Sequence, residues 1–144
     1  MDSYIITADG GSRGNPGPAA AGYTIKGPGV TAAHGEYLGE TTNNVAEYTA
    51  VIRGLAKLKS LLGTDKAKKA TVQVMADSEL VVKQMNRQYK VKDPDLMQLF
   101  VQVHNALLDF GSVTFTHIPR ERNQDADRMV NEALDRQNEP GLGI

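Results

Sequence analysis

The chain begins with short strands separated by glycine and proline, and this beginning limits the possible folds more than any later feature. Residues 3–9 have the two-residue period of a β-strand, with Tyr4, Ile6 and Ala8 on one face. Two further strands are predicted at residues 19–26 and 30–38. Because the links between the three strands are short and rich in Gly and Pro, we expect an antiparallel meander.

The rest of the chain alternates between helical and extended periodicity. Apolar residues recur at helical spacing over residues 45–62, and Gly63 follows as a helix end. Asp93 and Pro94 form an N-cap followed by proline at the first helical position. The elements predicted after the long helix are a strand at 70–76, helices at 78–87 and 93–109, a strand at 113–118 and a helix at 124–136. In the 93–109 helix, the side chains expected to face inward are Leu96, Leu99, Phe100, Val103, Leu107 and Leu108.

The predicted order of elements is βββαβααβα. Helices between the third, fourth and fifth strands favour crossover connections, and crossovers make the strands that they join parallel. Together with the antiparallel meander, this order predicts an α/β fold with a five-stranded mixed sheet flanked by helices.

The composition is that of one soluble domain. The 144 residues suit a single core, which we expect to span residues 1–137, with a short tail at 138–144. The absence of cysteine excludes disulfides and thiolate metal sites and fits a reducing compartment. The first apolar run, residues 4–6, is too short for a signal sequence or a membrane span. We therefore expect a cytoplasmic monomer with no membrane partner.

The charge of the chain gives only local indications of a nucleic-acid partner. The formal net charge is −1, so the bulk basic character of many nucleic-acid-binding domains is missing. Basic residues nevertheless concentrate at 57–69 and 83–92. An acidic site elsewhere would cancel such patches in the total. Taken singly, each lysine is more consistent with an ordinary solvated surface.

Four carboxylates stand at the ends of predicted elements. Asp9 and Asp77 end strands, whereas Glu47 and Asp127 lie in the first turns of helices. In α/β sheets, functional groups collect where strands end and helices begin. If the first and fourth strands are parallel neighbours, Asp9 and Asp77 meet at one edge of the sheet. Asp9 has no evident capping role, because it precedes a pair of glycines rather than a helix.

Clustered carboxylates indicate a site for divalent cations. Neighbouring carboxylates repel, and each raises the proton affinity of the next, so such a cluster is tolerated mainly when cations share it. Hard oxygen ligands without His or Cys indicate Mg²⁺ or Mn²⁺. Two such ions about 4 Å apart can activate a water and stabilise the leaving oxygen of a phosphodiester.

Three of the four carboxylates also have a purely structural interpretation. Asn44 with Glu47 three positions later fits a capping box. Asp77 fits an N-cap of the following helix. Asp127, like its neighbour Asp125, could simply favour the dipole of the last helix.

Other chemistries have little support. Residues 10–18 (GGSRGNPGP) are predicted as a turn-rich loop that lacks the Lys-Ser/Thr pair of a Walker loop. This loop is either a plain connection or a segment whose backbone N–H groups and Asn15 approach a sugar–phosphate chain. The three histidines have no paired spacing, and no GxSxG motif is present, which disfavours histidine ligation and a serine nucleophile.

Four segments of the chain, in this order, resemble type 1 ribonuclease H. They are ADGGSRGNPGPAAAG (residues 8–22), TTNNVAEYTAVIRGL (41–55), ADSELVVKQM (76–85) and HIPRERNQDADRMVNEAL (117–134). Any one of these strings is weak, but four in the family's order across nearly the whole chain are specific. The resemblance implies the ribonuclease H-like fold, which agrees with the mixed sheet predicted above.

The resemblance also implies roles for individual residues. Asp9, Glu47, Asp77 and Asp127 match the family's metal-binding carboxylates, and the spacing Asn-x-x-Ala-Asp selects Asp127 over Asp125. The implied substrate contacts are Asn15, Asn43 and Asn44, the backbone of Gly10, Gly11 and Ser12, and Ser78. Glu79 stands where the family frequently has glutamine, which puts its contact in doubt.

Two departures from the wider family stand out. Many members carry a catalytic histidine before the last helix, whereas residues 119–122 (PRER) occupy a short loop here. The chain is thus similar to a subgroup in which an arginine takes that place, and Arg120 receives a supporting role on phosphate or product release, with a plain surface role as the alternative. Many members also have a basic protrusion where only residues 88–92 link the helices here. Substrate affinity is then expected to be lower, or to come from the lysine clusters.

The function implied is a metal-dependent endoribonuclease that hydrolyses the RNA strand of RNA/DNA hybrids. In the implied two-metal-ion mechanism Asp9 bridges the cations, and the products carry 5′-phosphate and 3′-hydroxyl ends. Contacts across the minor groove distinguish RNA by its 2′-hydroxyls, with little sequence specificity. The alternatives are a nuclease of the same fold that also cleaves double-stranded RNA, and a non-catalytic hybrid-binding module.

Overall fold

The five strands form one mixed sheet in a computed structural model that describes residues 2–138. The strands are β1 (Ser3–Ser12), β2 (Gly17–Gly27), β3 (Val30–Thr41), β4 (Thr71–Ala76) and β5 (Ser112–His117). Their order across the sheet is β3-β2-β1-β4-β5. The first three strands are antiparallel, and β4 and β5 run parallel to β1. The predicted α/β fold with a five-stranded mixed sheet is confirmed.

Helices cover both faces of this sheet. They are α1 (Asn43–Leu62), α2 (Thr64–Lys68), α3 (Glu79–Met85), α4 (Pro94–Leu107) and α5 (Gln124–Asn138), with a 3-10 turn at Arg120–Arg122. α1 packs on β1 and β2, α4 packs on α1, and α5 packs across β1, β2 and β3. The short α2 was not predicted, because one and a half turns show no period. Among residues 2–138, no helix is both long and apolar enough to cross a bilayer.

The main core lies between α1 and the sheet. Leu55 and Leu58 of α1 are fully buried in one cluster with Ile6 of β1 and Val74 of β4. Burial of such a side chain contributes about 1.5–3 kcal/mol. The inward face predicted for the 93–109 helix is wrong at Leu108, which is 72% exposed. α4 ends at Leu107, so Leu108 leaves the helical face that packs on α1.

The segment predicted as a nine-residue loop is mostly a β-hairpin. β1 pairs with β2 as far as Ser12 opposite Ala19, and only residues 13–16 form the turn. The main-chain N–H of Arg13 donates to the oxygen of Pro18 at 2.9 Å. Cross-strand hydrogen bonds thus outweigh the weak strand propensity of glycine, which local sequence does not reveal.

Two predicted helix starts are also corrected. Thr42, not Asn44, caps α1, and its hydroxyl accepts from the N–H of Val45 at 3.3 Å. Glu47 is therefore not part of a capping box and lies beyond the first turn of α1. Ser78, not Asp77, caps α3, with its hydroxyl accepting from the N–H of Val81. Neither Glu47 nor Asp77 thus has the capping role that a structural interpretation would give it.

Candidate active site

Asp9 and Asp77 meet because β1 and β4 are parallel neighbours in register. Ala8 pairs with Ala76, and each of these residues is followed by its carboxylate. β4 ends at this point, whereas β1 continues along β2 to Ser12. Asp9 is consequently only 8% exposed, held inside the sheet, while Asp77 stands at a strand end.

Glu47 reaches the same place from α1, because Gly10 lets the helix approach the strand. A methyl group on Gly10 would overlap the main chain of Ala46 and Glu47. Only glycine therefore permits this distance between β1 and α1. The Ser78 hydroxyl hydrogen-bonds to Glu47 and favours its charged form.

Asp127 is brought in by α5, which packs on two glycines of the neighbouring strands. Gly22 and Gly35 are register partners in β2 and β3. A methyl group on Gly22 would lie 2.6 Å from the oxygen of Ala126, and one on Gly35 would overlap the main chain of Met129. These glycines let the first turns of α5 lie directly on the sheet beside Asp9.

Asn123 joins α5 to β1 next to the carboxylates. Its side chain is buried, and its Nδ2 donates to the oxygen of Ala8 at 2.9 Å. Its own main-chain oxygen accepts from the N–H of Asp127 at 3.0 Å. In the sequence, Asn123 is only the first residue of the Asn-x-x-Ala-Asp spacing, and its positioning contacts were not predicted.

Burial and mutual repulsion change the acidity of two of these carboxylates. Burial, reinforced by the charges and hydrogen bonds of Asp77 and Asp127, raises the pKa of Asp9 to about 8. Burial also raises the pKa of Glu47 to about 7, with the hydrogen bond from Ser78 opposing this shift and the charge of Asp77 adding to it. Without a cation, the centre thus favours bound protons near neutral pH.

The four carboxylates line one cleft of about 660 Å³. The other predicted site residues that line it are Gly10, Gly11, Ser12, Asn43, Asn44, Ser78, Glu79 and Arg120. Asp125 lines a different cleft, beside Thr7 and Lys26, which places it apart from Asp127. The structure thus separates the two aspartates between which helix-dipole arguments could not choose.

Known proteins share this arrangement of the chain over most of its length. The family model described as reverse transcriptase-like matches residues 7–133. A bifunctional protein of Mycobacterium tuberculosis is 44% identical over 134 residues, which is 91% of this chain and 35% of that protein. The chain therefore spans about a third of the length of this relative. A ribonuclease H of Pseudomonas fluorescens is 33% identical, and the alignment covers 93% of each chain.

A solved structure agrees with these matches. LC11 ribonuclease H1, isolated from compost and solved in complex with an RNA/DNA hybrid, is 45% identical with a TM-score of 0.88. The superposition covers 94% of this chain and 99% of that one.

The chain belongs to the ribonuclease H family.

The cleft of this ribonuclease H family member has the donor chemistry for a hard divalent cation. Four carboxylates converge on it, and none of the described residues that line it is His or Cys. Within residues 2–138, no three His, Cys, Asp or Glu side chains are already spaced to hold an ion. The fit therefore rests on the donor set and on the burial and neighbouring carboxylates that raise the pKa of Asp9.

Three predicted substrate residues of this ribonuclease H family member, Ser12, Asn15 and Asn43, form a hydrogen-bonded group at the hairpin. The Asn43 side-chain oxygen accepts from the N–H of Ser12 at 2.8 Å and from its hydroxyl at 3.0 Å. The N–H of Asn43 donates to the side-chain oxygen of Asn15 at 3.2 Å. Asn15 itself is exposed and does not line the cleft, and Asn44 is exposed at its rim.

Glu79 and Arg120 lie at the edge of the cleft. The Glu79 carboxylate pairs with Lys83 at 2.7 Å and accepts from the hydroxyl of Tyr89 at 3.4 Å. Arg120 is 79% exposed, and its Nη2 is 3.8 Å from Oδ1 of Asp127. An exposed pair at that distance contributes little stability, so Arg120 is free to move toward a ligand.

Proposed function

We propose that this protein is a divalent-metal-dependent endoribonuclease that cuts the RNA strand of RNA/DNA hybrids. The observation that carries the proposal is the convergence of Asp9, Glu47, Asp77 and Asp127 on one cleft, two of them with raised pKa values. The RNA/DNA hybrid in the structure of the 45% identical relative supports the choice of substrate.

The four carboxylates would hold two cations, Mg²⁺ or Mn²⁺. Asp9 interacts electrostatically with both Asp77 and Asp127, so its carboxylate would hold the cations together with theirs. When bound, the cations would lower the pKa of a water and stabilise the charge on the leaving oxygen. Products with 5′-phosphate and 3′-hydroxyl ends are expected.

The protein's own groups would hold this centre in place. Ser78 orients the Glu47 carboxylate through its hydroxyl. Asn123 ties α5, and with it Asp127, to the strand that carries Asp9. Arg120, exposed beside Asp127, would contact the phosphate or assist release of the product, as in the subgroup with an arginine at this place.

Recognition of RNA would come from the minor-groove side of the hybrid. RNA differs from DNA there by its 2′-hydroxyl, which both donates and accepts hydrogen bonds. The candidates to contact it are Asn43, Asn44 and the backbone of Gly10, Gly11 and Ser12, all of which line the cleft. Because these groups do not read base edges, we expect little sequence preference.

The test is cleavage of an end-labelled RNA/DNA hybrid by purified protein with Mg²⁺, with Mn²⁺ and with chelator. Single-stranded RNA, duplex RNA and duplex DNA run beside it. Metal-dependent cutting of the RNA only in the hybrid, absent from Asp77→Asn and retained by Asp125→Asn, is the expected result. Equal cutting of duplex RNA would show that the enzyme also accepts double-stranded RNA as a substrate. Binding of the hybrid without cutting in the presence of either metal would show that the protein is a binding module and not an enzyme.

A further inference from the structure

The catalytic cleft extends beyond its carboxylates toward the tip of the β1–β2 hairpin. Val130, Asn131 and Leu134 of α5 line this part of the cleft, and Arg13 of the hairpin also lines the cleft. Arg13 is neither one of the four carboxylates nor one of the predicted substrate residues. Its position and its charge raise the question of what it contacts when a hybrid is bound.

Arg13 is fixed at both its main chain and its side chain. The N–H of Arg13 donates to the oxygen of Pro18 at 2.9 Å. Its Nη2 lies 2.6 Å from Oδ1 of Asp135 on α5, and its side chain remains 43% exposed. A guanidinium carries five N–H donors in a rigid plane. One contact with Asp135 therefore orients the group and leaves donors for a second anion.

The distribution of charge along the cleft makes Arg13 unusual. The described charged residues that line the cleft are the acids Asp9, Glu47, Asp77, Glu79 and Asp127 and the cations Arg13 and Arg120. Arg120 lies at the edge of the cleft beside Asp127, one of the four carboxylates. Arg13 lies past the end of β1, and Ser12 alone is three residues beyond Asp9, about 10 Å at the rise of a strand.

The distance of about 10 Å from Asp9 to Ser12 exceeds the rise of one nucleotide along a nucleic-acid helix. Phosphates of one strand succeed each other about every 3.4 Å along the helix axis, so a cation beyond Ser12 meets a different phosphate from the one at the carboxylates. A planar guanidinium matches the oxygens of a phosphodiester in a bidentate way. We propose that Arg13, oriented by Asp135, binds a backbone phosphate of the hybrid other than the phosphate of the cleaved bond, an inference that rests on the function proposed above.

The competing explanation is a salt bridge that only joins the hairpin to α5. The chain offers a matched control in the ion pair of Arg53 and Glu36. This pair is similarly exposed, its Nε–Oε2 distance is 2.9 Å, and neither residue lines this cleft. Exposed pairs of this kind typically contribute less than about 1 kcal/mol to stability. Removal of either arginine should thus leave the fold intact, and only removal of Arg13 should change binding of the hybrid.

Binding is measured separately from cleavage, by fluorescence anisotropy of a labelled hybrid in the Asp77→Asn background over a series of KCl concentrations. Addition of Arg13→Gln is expected to weaken binding about tenfold, since a charge-assisted contact is lost. It should also reduce the slope of log K against log salt by about one. Arg53→Gln should leave both unchanged, and Asp135→Asn, which keeps the cation, should keep the full slope.

The strand and the phosphate are identified with hybrids that carry one neutral methylphosphonate at a time, in the RNA or in the DNA. One position should weaken binding of the parent about as much as Arg13→Gln does, and should have no further effect on that variant. Arg13→Gln with an unchanged salt slope, or equal losses with Asp135→Asn and Arg13→Gln, would show a structural salt bridge and overturn the proposal. If the wild-type protein cuts the hybrid but Arg13→Gln binds it as tightly as its parent does, only the inference on Arg13 fails. If the wild-type protein neither binds nor cuts the hybrid, both this inference and the proposed function fail.

Discussion

Asn123 donates from Nδ2 to the main-chain oxygen of Ala8 across 2.9 Å, and so ties the start of α5 to the residue before Asp9. The two residues are 115 positions apart in the chain. Because the main-chain oxygen of Asn123 also accepts from the N–H of Asp127, this one residue relates two carboxylates that come from opposite ends of the sequence.

Replacement of Asn123 should therefore affect both stability and the site. Asn123→Ala removes a buried donor from the oxygen of Ala8, a loss that costs about 1–3 kcal/mol. Urea denaturation is expected to show this decrease in the free energy of unfolding, together with slower hybrid cleavage. The control is Asn131→Ala, whose exposed contact with Asp127 at 3.3 Å should change stability by less than about 0.5 kcal/mol. Equal stability of the two variants would contradict a special role for Asn123.

Gly10 should not tolerate a side chain, whereas its neighbour should. Gly10→Ala places a methyl group in the main chain of Ala46, so α1 must move away from β1 and carry Glu47 with it. Overpacking of this kind costs about 1–3 kcal/mol. At Gly11 the nearest atoms to a methyl group lie 3.9 and 4.0 Å away, so Gly11→Ala should unfold at nearly the wild-type temperature. Calorimetry of both variants measures their unfolding temperatures. A Gly10→Ala protein as stable as Gly11→Ala would refute the close approach of α1 to β1.

The cation-free protein should lose stability as the pH rises. Burial and the neighbouring charges raise the pKa of Asp9 to about 8, above its ordinary 3.8, so the folded state retains a proton that the unfolded chain releases. This contribution is complete below about pH 4 and is lost as the pH rises through about 8.

Asp9→Asn removes the pH-dependent contribution of the Asp9 carboxylate to the stability of the fold. In chelator, its melting temperature should exceed that of the wild type more at about pH 8 than at about pH 5, because only the wild type buries a charge there. Addition of Mg²⁺ should narrow the difference by stabilising the wild type, since a cation that binds the folded state raises its stability. Asp125→Asn, outside the cleft, is the matched control. A pH-independent difference would argue against the raised pKa.

Arg120 should matter for turnover and not for folding. Its side chain is 79% exposed, and its 3.8 Å approach to Asp127 contributes little to stability. If Arg120 acts on the phosphate, Arg120→Ala should slow single-turnover or steady-state cleavage about tenfold, by loss of a charge-assisted contact. Arg122→Ala removes an equal charge from the neighbouring cleft and should cleave at the wild-type rate. Identical cleavage rates for both variants would show that Arg120 is an ordinary surface residue without a role in cleavage.

Much of this fold follows from local periodicity. The strand around Ile6 and the helix around Leu55 were predicted because burial on one face imposes a period that can be read from the chain. Asp9 and Asp77 were singled out for the same reason, since each follows a run with the period of a strand.

Local patterns failed where distant contacts decide. Asn44 and Glu47 have the spacing of a capping box, yet Thr42 caps the helix, because β3 runs on to Thr41 and sets where α1 begins. Gly10 and Gly11 suggested the start of a loop, yet pairing with β2 makes them part of a strand.

The sequence by itself indicated the order of the strands and of the longer helices, the burial pattern of most of them, and the four carboxylates of the predicted site, because these depend on local period and on motif spacing. Only the tertiary structure decided how the carboxylates approach one another. Gly22 and Gly35 allow the close approach of α5 to the sheet, and Arg13 pairs with Asp135. Both contacts join residues that are remote in the chain. Such contacts exist only once the sheet has formed, so no local pattern encodes them.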